Sequence, residues 1–166
     1  MPTKSASLRL LSFCALIGGG ILVASASTFA KPAPQAAASC DASLWTRVYN
    51  PTRLEGTKAC ITATGVVAES KADDDGDQHF LLKLDKGQKA LLNKRNKQKK
   101  QGNLVVEIVC ANPVKLKKVK QTCAGYKNTI SMPSVGSHVK VTGTYVIDGH
   151  NGWAEIHPAS RIELLK

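Results

Sequence analysis

The stretch VKVTGTYVI, residues 139–147, puts Val139, Val141, Gly143, Tyr145 and Ile147 on one side and Lys140, Thr142 and Thr144 on the other. A period of two among β-branched residues marks a half-buried strand. Gly143 in its middle marks a bend or a close backbone approach. The same device recurs upstream, where ITATGVVA, residues 61–68, predicts a first strand with a bulge or bend at Gly65. After the polar turn Asp73-Asp74-Asp75-Gly76-Asp77, residues 78–85 align Phe80, Leu82 and Leu84 on one face and predict a hairpin. LVVEIVC, residues 104–110, is an apolar run of strand length interrupted by Glu107, and predicts a largely buried strand. A Gly-containing turn at 148–152 leads into residues 153–157 and 162–164, which predict a closing hairpin. Residues 88–101 leave open a short strand at 89–92 or a helix stopped at Gly102. With no heptads, this pattern predicts an all-β fold with at most one or two short helices: a small five-stranded, OB-fold-like barrel. A β-sandwich is the alternative, disfavoured because it usually needs about seven strands.

A chain of 166 residues and 17.7 kDa has room for one ordinary domain. Its 43% hydrophobic and 21% charged residues exclude wholesale disorder and fibrous repeats. Lys4 and Arg9 precede the apolar run 10–23, which the small residues of 24–30 follow, the layout of a secretory signal peptide. A run of about fourteen residues is too short for a span of roughly twenty. Cleavage is expected after Ala26, with Ala30 as competitor, and Phe13 before Cys14 argues against lipidation. Residues 31–39, rich in Ala and Pro, read as a flexible linker to a domain at 40–166. The expected location is therefore periplasmic or extracellular. There Cys40, Cys60, Cys110 and Cys123 are expected to form disulfides, Cys40 with Cys60 and Cys110 with Cys123, since each pair closes a short loop beside a predicted strand. No C-x-x-C pair points to zinc.

The formal charge is +11, and removal of the signal leaves twenty-one bases against twelve acids. A basic domain suits a polyanionic partner. The charge concentrates at Lys83, Lys94, Arg95, Lys97, Lys99 and Lys100, and again in the long connection 111–137 at Lys115, Lys117 and Lys118. Such residues would contact phosphates in a salt-dependent, sequence-tolerant way, with Trp153 as a stacking surface, although aromatics are few.

A second set of residues points to acid–base or metal chemistry. Trp153, Glu155 and His157 share one side of the last strand while Ala154 and Ile156 take the core side, so all three are expected to face outward. His79 is likewise expected outward, opposite Phe80, Leu82 and Leu84. Asp148 and His150 sit in the turn before Trp153. Imidazole and carboxylate groups two residues apart on a strand can reach one divalent ion or act as a general acid and base. The candidate catalytic set is His79, Glu155 and His157, and the candidate metal set adds Asp77, Glu107, Asp148 and His150. The alternative is local hydrogen bonding at a strand end, with Trp153 covering the barrel mouth. The acidic run 73–77 reads as a solvated turn because it lacks the EF-hand spacing. Glu107 needs a His or Lys partner if buried, or else lies on the rim of an edge strand.

The motifs Asp75-Gly76-Asp77-Gln78-His79-Phe80, Leu91-Leu92-Asn93 with Asn96, the run 104–110, and Gly152-Trp153-Ala154-Glu155-Ile156-His157-Pro158 together resemble a family of small secreted bacterial proteins of largely uncharacterised function. The resemblance covers roughly residues 60–162. It implies that His79, Glu107, Asp148, His150, Glu155 and His157 are family features and not accidents of this chain, which favours a shared site. The family's turn resembles His-Gly-Trp, whereas here His150-Asn151-Gly152-Trp153 carries an extra residue that displaces His150. The barrel also invites comparison with thermonucleases, but no stretch aligns with their catalytic motif, and fold analogy does not carry function. The sequence thus favours a module binding a polyanion, most simply nucleic acid, without covalent chemistry and with no certain cofactor. A metal-assisted phosphodiesterase or nuclease-like hydrolase is the alternative, and an envelope glycan- or protein-binding module the third reading.

Overall fold

The computed structural model describes residues 39–166. The expected signal peptide with Cys14, and the expected linker up to residue 38, lie outside the described residues. Five strands, β1 (Leu54–Ala72), β2 (Gln78–Leu84), β3 (Leu104–Ile108), β4 (His138–Asp148) and β5 (Ala154–Leu164), form one mixed sheet. Their order is β1-β2-β3-β5-β4, and β4 pairs back onto β1, so the sheet closes on itself. Only β3 and β5 run parallel. Short helical turns complete the fold, among them a six-residue α-helix, α1 (Lys94–Lys99).

β1 holds the closure together because it is long enough to serve two partners. Residues 54–66 pair with β4 and residues 65–72 with β2, so Gly65 sits at the corner, opposite both Leu84 and Val139. A Cβ there would run into the Lys83 carbonyl. Gly65 is therefore a close approach, while the bulges fall between Glu55 and Ala59 and between Val67 and Glu69. Gly143 plays the same part where β4 crosses β5: a Cβ would strike Ile156 Cγ2 and the Pro158 carbonyl. Inside the closed sheet lie Phe80, Leu82, Leu104, Val106, Val141 and Ile156 with their neighbours, the alternate residues the sequence pattern assigns to the core.

The outer face of β3, β4 and β5 is also covered, which alternation does not reveal. Leu44 and Val48, in and just after a 3-10 turn (Ala42–Arg47), pack with Leu54 against Val109 and Val146. The Cys40–Cys60 disulfide ties this segment to β1. The Cys110–Cys123 disulfide folds the start of the basic connection back on the end of β3. The open segment 88–101 becomes a 3-10 turn (Lys89–Leu91) followed by α1, entered through a capping box of Asn93 and Asn96. Residues 154–157 and 162–164 belong to one strand, β5, with Trp153 just before it, and its register shifts opposite Thr142, Gly143 and Tyr145.

Gly143→Ala is expected to lower stability by about 1–3 kcal/mol, the usual cost of overpacking a fitted interior. Urea denaturation of the oxidised protein measures this, and an unchanged midpoint would mean that the β4–β5 crossing yields without strain.

Candidate functional site

Strand register assembles the site on the covered outer face. β2 and β3 pair His79 with Glu107, and the parallel pairing of Val105 with Glu155 and Val106 with Ile156 sets Glu107 beside His157 two residues on. The two loops at this end, 73–77 between β1 and β2 and 149–153 between β4 and β5, close over the result. His79, Glu155 and His157 do not face solvent as expected: they are 5%, 0% and 0% exposed. The outward face of a strand is solvated only when nothing packs on it, and here loops and the segment before β1 do.

Glu107 is the hub. Its Oε1 accepts from His79 Nδ1 at 3.2 Å, and its Oε2 lies 3.0 Å from His157 Nδ1. Glu155 Oε1 is 3.1 Å from the same His157 nitrogen, and Glu155 Oε2 accepts from the Trp153 indole at 2.8 Å. His79 Nε2 lies 3.3 Å from the Lys100 ammonium, which sits 3.9 Å from the centre of the Trp153 ring. With Lys100 donating to Nε2, the His79 proton is on Nδ1, facing Glu107. Among the described residues, His157 Nε2 is the buried side-chain polar atom with no hydrogen-bond partner. Asp77 Oδ2 is nearest at 3.8 Å, too far for a hydrogen bond.

α1 places Lys100 and steadies the second loop. The Asn96 amide donates to the Ala154 carbonyl at 2.8 Å and accepts from its N–H at 2.9 Å, standing in for a strand where β5 begins. Asn93 donates to the Gly152 carbonyl at 2.8 Å. Lys100 follows the last turn of the helix and is carried over Trp153.

Above the hub opens a cleft of about 320 Å³ lined by Tyr49, Arg53, Lys71, Asp73, Asp75, His79, Lys100, Glu107, Asp148, His150, Asn151 and Trp153. Asp73, His79 and Glu107 each present a donor atom within 4.8 Å of the others, as do Asp77, Glu107 and His157 below them. Lys71 pairs with Asp73 at 2.8 Å, and Arg53 with Asp148 at 2.9 Å. Asp148 is spent on its own turn: Oδ1 accepts from the N–H groups of His150 and Asn151, and Oδ2 from Arg53 and the Asn151 amide. It shapes the loop and has little left for a metal. His150 is exposed on the cleft rim.

Burial dominates the electrostatics. It pushes the Asp77 carboxyl up to about 8 against the pull of His157, so at neutral pH the 3.8 Å approach of the two is not a full ion pair. It raises Glu155 and Asp75 too, with the Glu107 charge adding to both. At Glu107 burial raises the carboxyl, but His157 and then His79 outweigh it and hold it at about 2. At His157 burial lowers the imidazole, but Glu107, Glu155 and Asp77 together raise it to about 9. Lys100 is lowered by burial and by Lys71.

The structure therefore brings together Asp77, His79, Glu107, Glu155, His157, Trp153 and Lys100, with Asp148 and His150 in the adjoining loop. It does not bring the other candidate cations into the cleft. Lys83 is exposed on β2, Lys94, Arg95, Lys97 and Lys99 lie along α1, and Lys115 pairs with Asp74. Lys117 and Lys118 belong to a 3-10 turn of the basic connection, where Lys118 lies 5.5 Å over the ring of Tyr49, a cleft residue. Tyr49, Arg53 and Lys71 stand outside every candidate set named from the sequence, and Asp73 and Asp75 belong to the run read as a solvated turn. The spacing of Asp73, Asp75 and Asp77 immediately ahead of His79 was the available signal. Asp77 is buried and Asp75 partly so, which corrects the reading of 73–77 as a solvated turn. No protein-family model matches the chain, and no curated protein matches it.

The metal-free protein should be most stable in mildly acidic solution. His157, raised from 6.5 to about 9, contributes stability that is complete below 6.5 and lost as pH rises through 9. Asp77, raised from 3.8 to about 8, acts in the same direction between those values. Glu107, lowered from 4.5 to about 2, contributes stability above 4.5 that is lost as pH falls through 2. In chelator, urea midpoints should fall from pH 6 to pH 9, and Asp77→Asn, which keeps the acceptor for the Cys110 N–H, should flatten the part below pH 8. A curve unchanged by Asp77→Asn would show that its carboxyl titrates normally.

Proposed function

We propose that this protein is a divalent-cation-dependent phosphodiesterase acting on a polyanion, most simply nucleic acid, in the periplasm or outside the cell. The observation that carries the reading is the convergence of Asp73, His79 and Glu107 at the floor of an open cleft whose rim holds Arg53, Lys71 and Lys100. A site built only to bind phosphate has no use for carboxylates facing the ligand, which repel it. One imidazole with two carboxylates suits a divalent ion. Such an ion supplies a water ionised near neutral pH and polarises the phosphoryl oxygens.

The chain's own residues do the rest. Arg53, Lys71 and Lys100 face the charge that grows on the phosphate as water attacks phosphorus and the ester P–O bond breaks. His79 would hold the ion through one ring nitrogen, with Lys100 3.3 Å from the other, Nε2. Trp153, beside Lys100, and Tyr49, beside Lys118, offer aromatic rings for bases of a single strand. The two disulfides fit an oxidising compartment. Among the described residues no helix is long and apolar enough to cross a membrane.

The architecture also supports an OB fold. The strand order, the closure of β4 on β1, and a cleft on the β2–β3 face between the first and the last loop are features of that fold and of its oligonucleotide-binding members. A second reading, binding without cleavage, draws on the exposed lysines of α1 and of the 111–127 connection, which lie beyond the cleft.

The deciding experiment incubates the oxidised mature protein with labelled single-stranded DNA at physiological salt with calcium, magnesium, manganese or zinc, and with chelator in parallel. Fragments that need the metal are expected. His79→Gln should slow their formation at least about 100-fold, the upper range for loss of a metal's outer-shell partner. An intact but shifted band in every lane would replace hydrolysis by binding. An intact, unshifted band would overturn both and direct attention to envelope glycans or proteins.

A further inference from the structure

We propose that Asp77, Glu107 and His157 form a second divalent-cation site beneath the first, with Glu107 bridging the two. The proposal rests on the preceding reading only through the shared Glu107. Its own evidence lies deeper in the molecule.

His157 is fully buried, yet its Nε2 has no partner. A sealed polar nitrogen without a partner costs about 1–3 kcal/mol and calls for an explanation. The other ring nitrogen shows what the imidazole is prepared for. Nδ1 is gripped by the Glu155 carboxylate at 3.1 Å, and Glu155 is itself held by the Trp153 indole. A metal-ligating imidazole typically has this arrangement, with its outer nitrogen fixed by a carboxylate and the inner one free for the ion. Asp77 is oriented to complete it: its Oδ1 accepts from the Cys110 N–H at 2.8 Å, while its Oδ2 is the carboxylate oxygen near His157 Nε2.

Charge leads to the same place. Asp77, Glu107 and Glu155 are all buried beside His157, and a dry interior tolerates such a group of carboxylates only when they are protonated or paired with cations. A cation at this position neutralises them and gives Nε2 a partner. The two groups of donors meet at Glu107, which presents a donor atom within 4.8 Å of those of Asp73 and His79 and likewise of those of Asp77 and His157. One carboxylate thus spans both. One nitrogen with carboxylate oxygens favours zinc, manganese or cobalt over calcium or magnesium, which take oxygen ligands. In two-metal hydrolases such pairs clamp the attacking and the leaving oxygens of an in-line displacement.

The test strips the oxidised mature protein with chelator, titrates it with manganese or zinc, and counts bound ions per chain by elemental analysis after dialysis. Manganese-loaded samples also go to electron paramagnetic resonance, where a bridged pair gives an exchange-coupled signal. Two ions and a coupled signal are expected for the unaltered protein. Asp77→Asn, which keeps the Cys110 contact, should bind one ion and lose the coupling, and His79→Gln should also retain one. His157→Gln should behave like Asp77→Asn if it folds, as circular dichroism will show. Two ions in Asp77→Asn, or a single ion untouched by that change, would overturn the inner site and leave the phosphodiesterase reading intact. One ion kept by His79→Gln and lost by Asp77→Asn would support the inner site while removing the outer one. No ion in the unaltered protein would overturn both.

Discussion

The Glu107 carboxylate, held between the imidazoles of His79 and His157, is the constraint on which the arrangement depends. Leaving such a group uncompensated in the interior costs several kcal/mol. Each compensating ring comes from a different strand, His79 from β2 and His157 from β5. A one-residue slip of either neighbour would send its imidazole to the apolar side and strand the carboxylate. Site and register are therefore mutually dependent: the hydrophobic interior selects which face of each strand points inward, and the buried ion network fixes how far each strand slides.

That network survives only because a second layer excludes water from it. The β-sheet supplies the inner core, but the outer face would be solvated without Leu44 and Val48 and the loops at that end. The Cys40–Cys60 bond delivers the N-terminal segment to β1, and the Cys110–Cys123 bond brings the basic connection back beside the end of β3. A small domain with limited interior commonly uses such cross-links. Here they also shape the site, since Tyr49 and Arg53 of the cleft lie between the first disulfide and the body of β1, and the second disulfide includes Cys110, whose N–H orients Asp77.

The sequence made the strands legible because their inner residues obey a period of two, and Gly65 and Gly143 marked the points of closest backbone approach. It also made His79, Glu107, Glu155 and His157 legible as unusual residues. It misplaced them, however. Alternation says which residues share a face and nothing about what packs on that face, so the polar side of β5 read as solvent. Glu107 was readable as needing a His or Lys partner, but its actual partners lie 28 and 50 positions away, separations that only strand register resolves. Arg53 and Tyr49 carried no signal, because they precede the first predicted strand and belong to no periodic pattern. The acidic run 73–77 reads as an ordinary turn for a related reason: it lacks EF-hand spacing, and the tie that helps bury Asp77 comes from Cys110, far away in the chain.

The distribution of charge gives the strongest reason to separate what attracts a ligand from what acts on it. The chain carries a formal +11, yet in the cleft Lys71 pairs with Asp73 and Arg53 with Asp148, and Lys100 sits between His79 and Trp153. The surplus positive charge lies elsewhere, along α1 and the 111–127 connection, where it raises the local concentration of any polyanion without fixing a phosphate at one point. Within the cleft the balance is close, so a phosphate entering it meets carboxylates as readily as cations. An added cation would tip that balance toward a phosphate, and the donors that could hold it, Asp73, His79 and Glu107, converge at the floor. A basic exterior over an acid-lined floor is thus consistent with the proposed division of labour, in which the surface would gather a chain of phosphates and a cation-dependent centre would act on one of them.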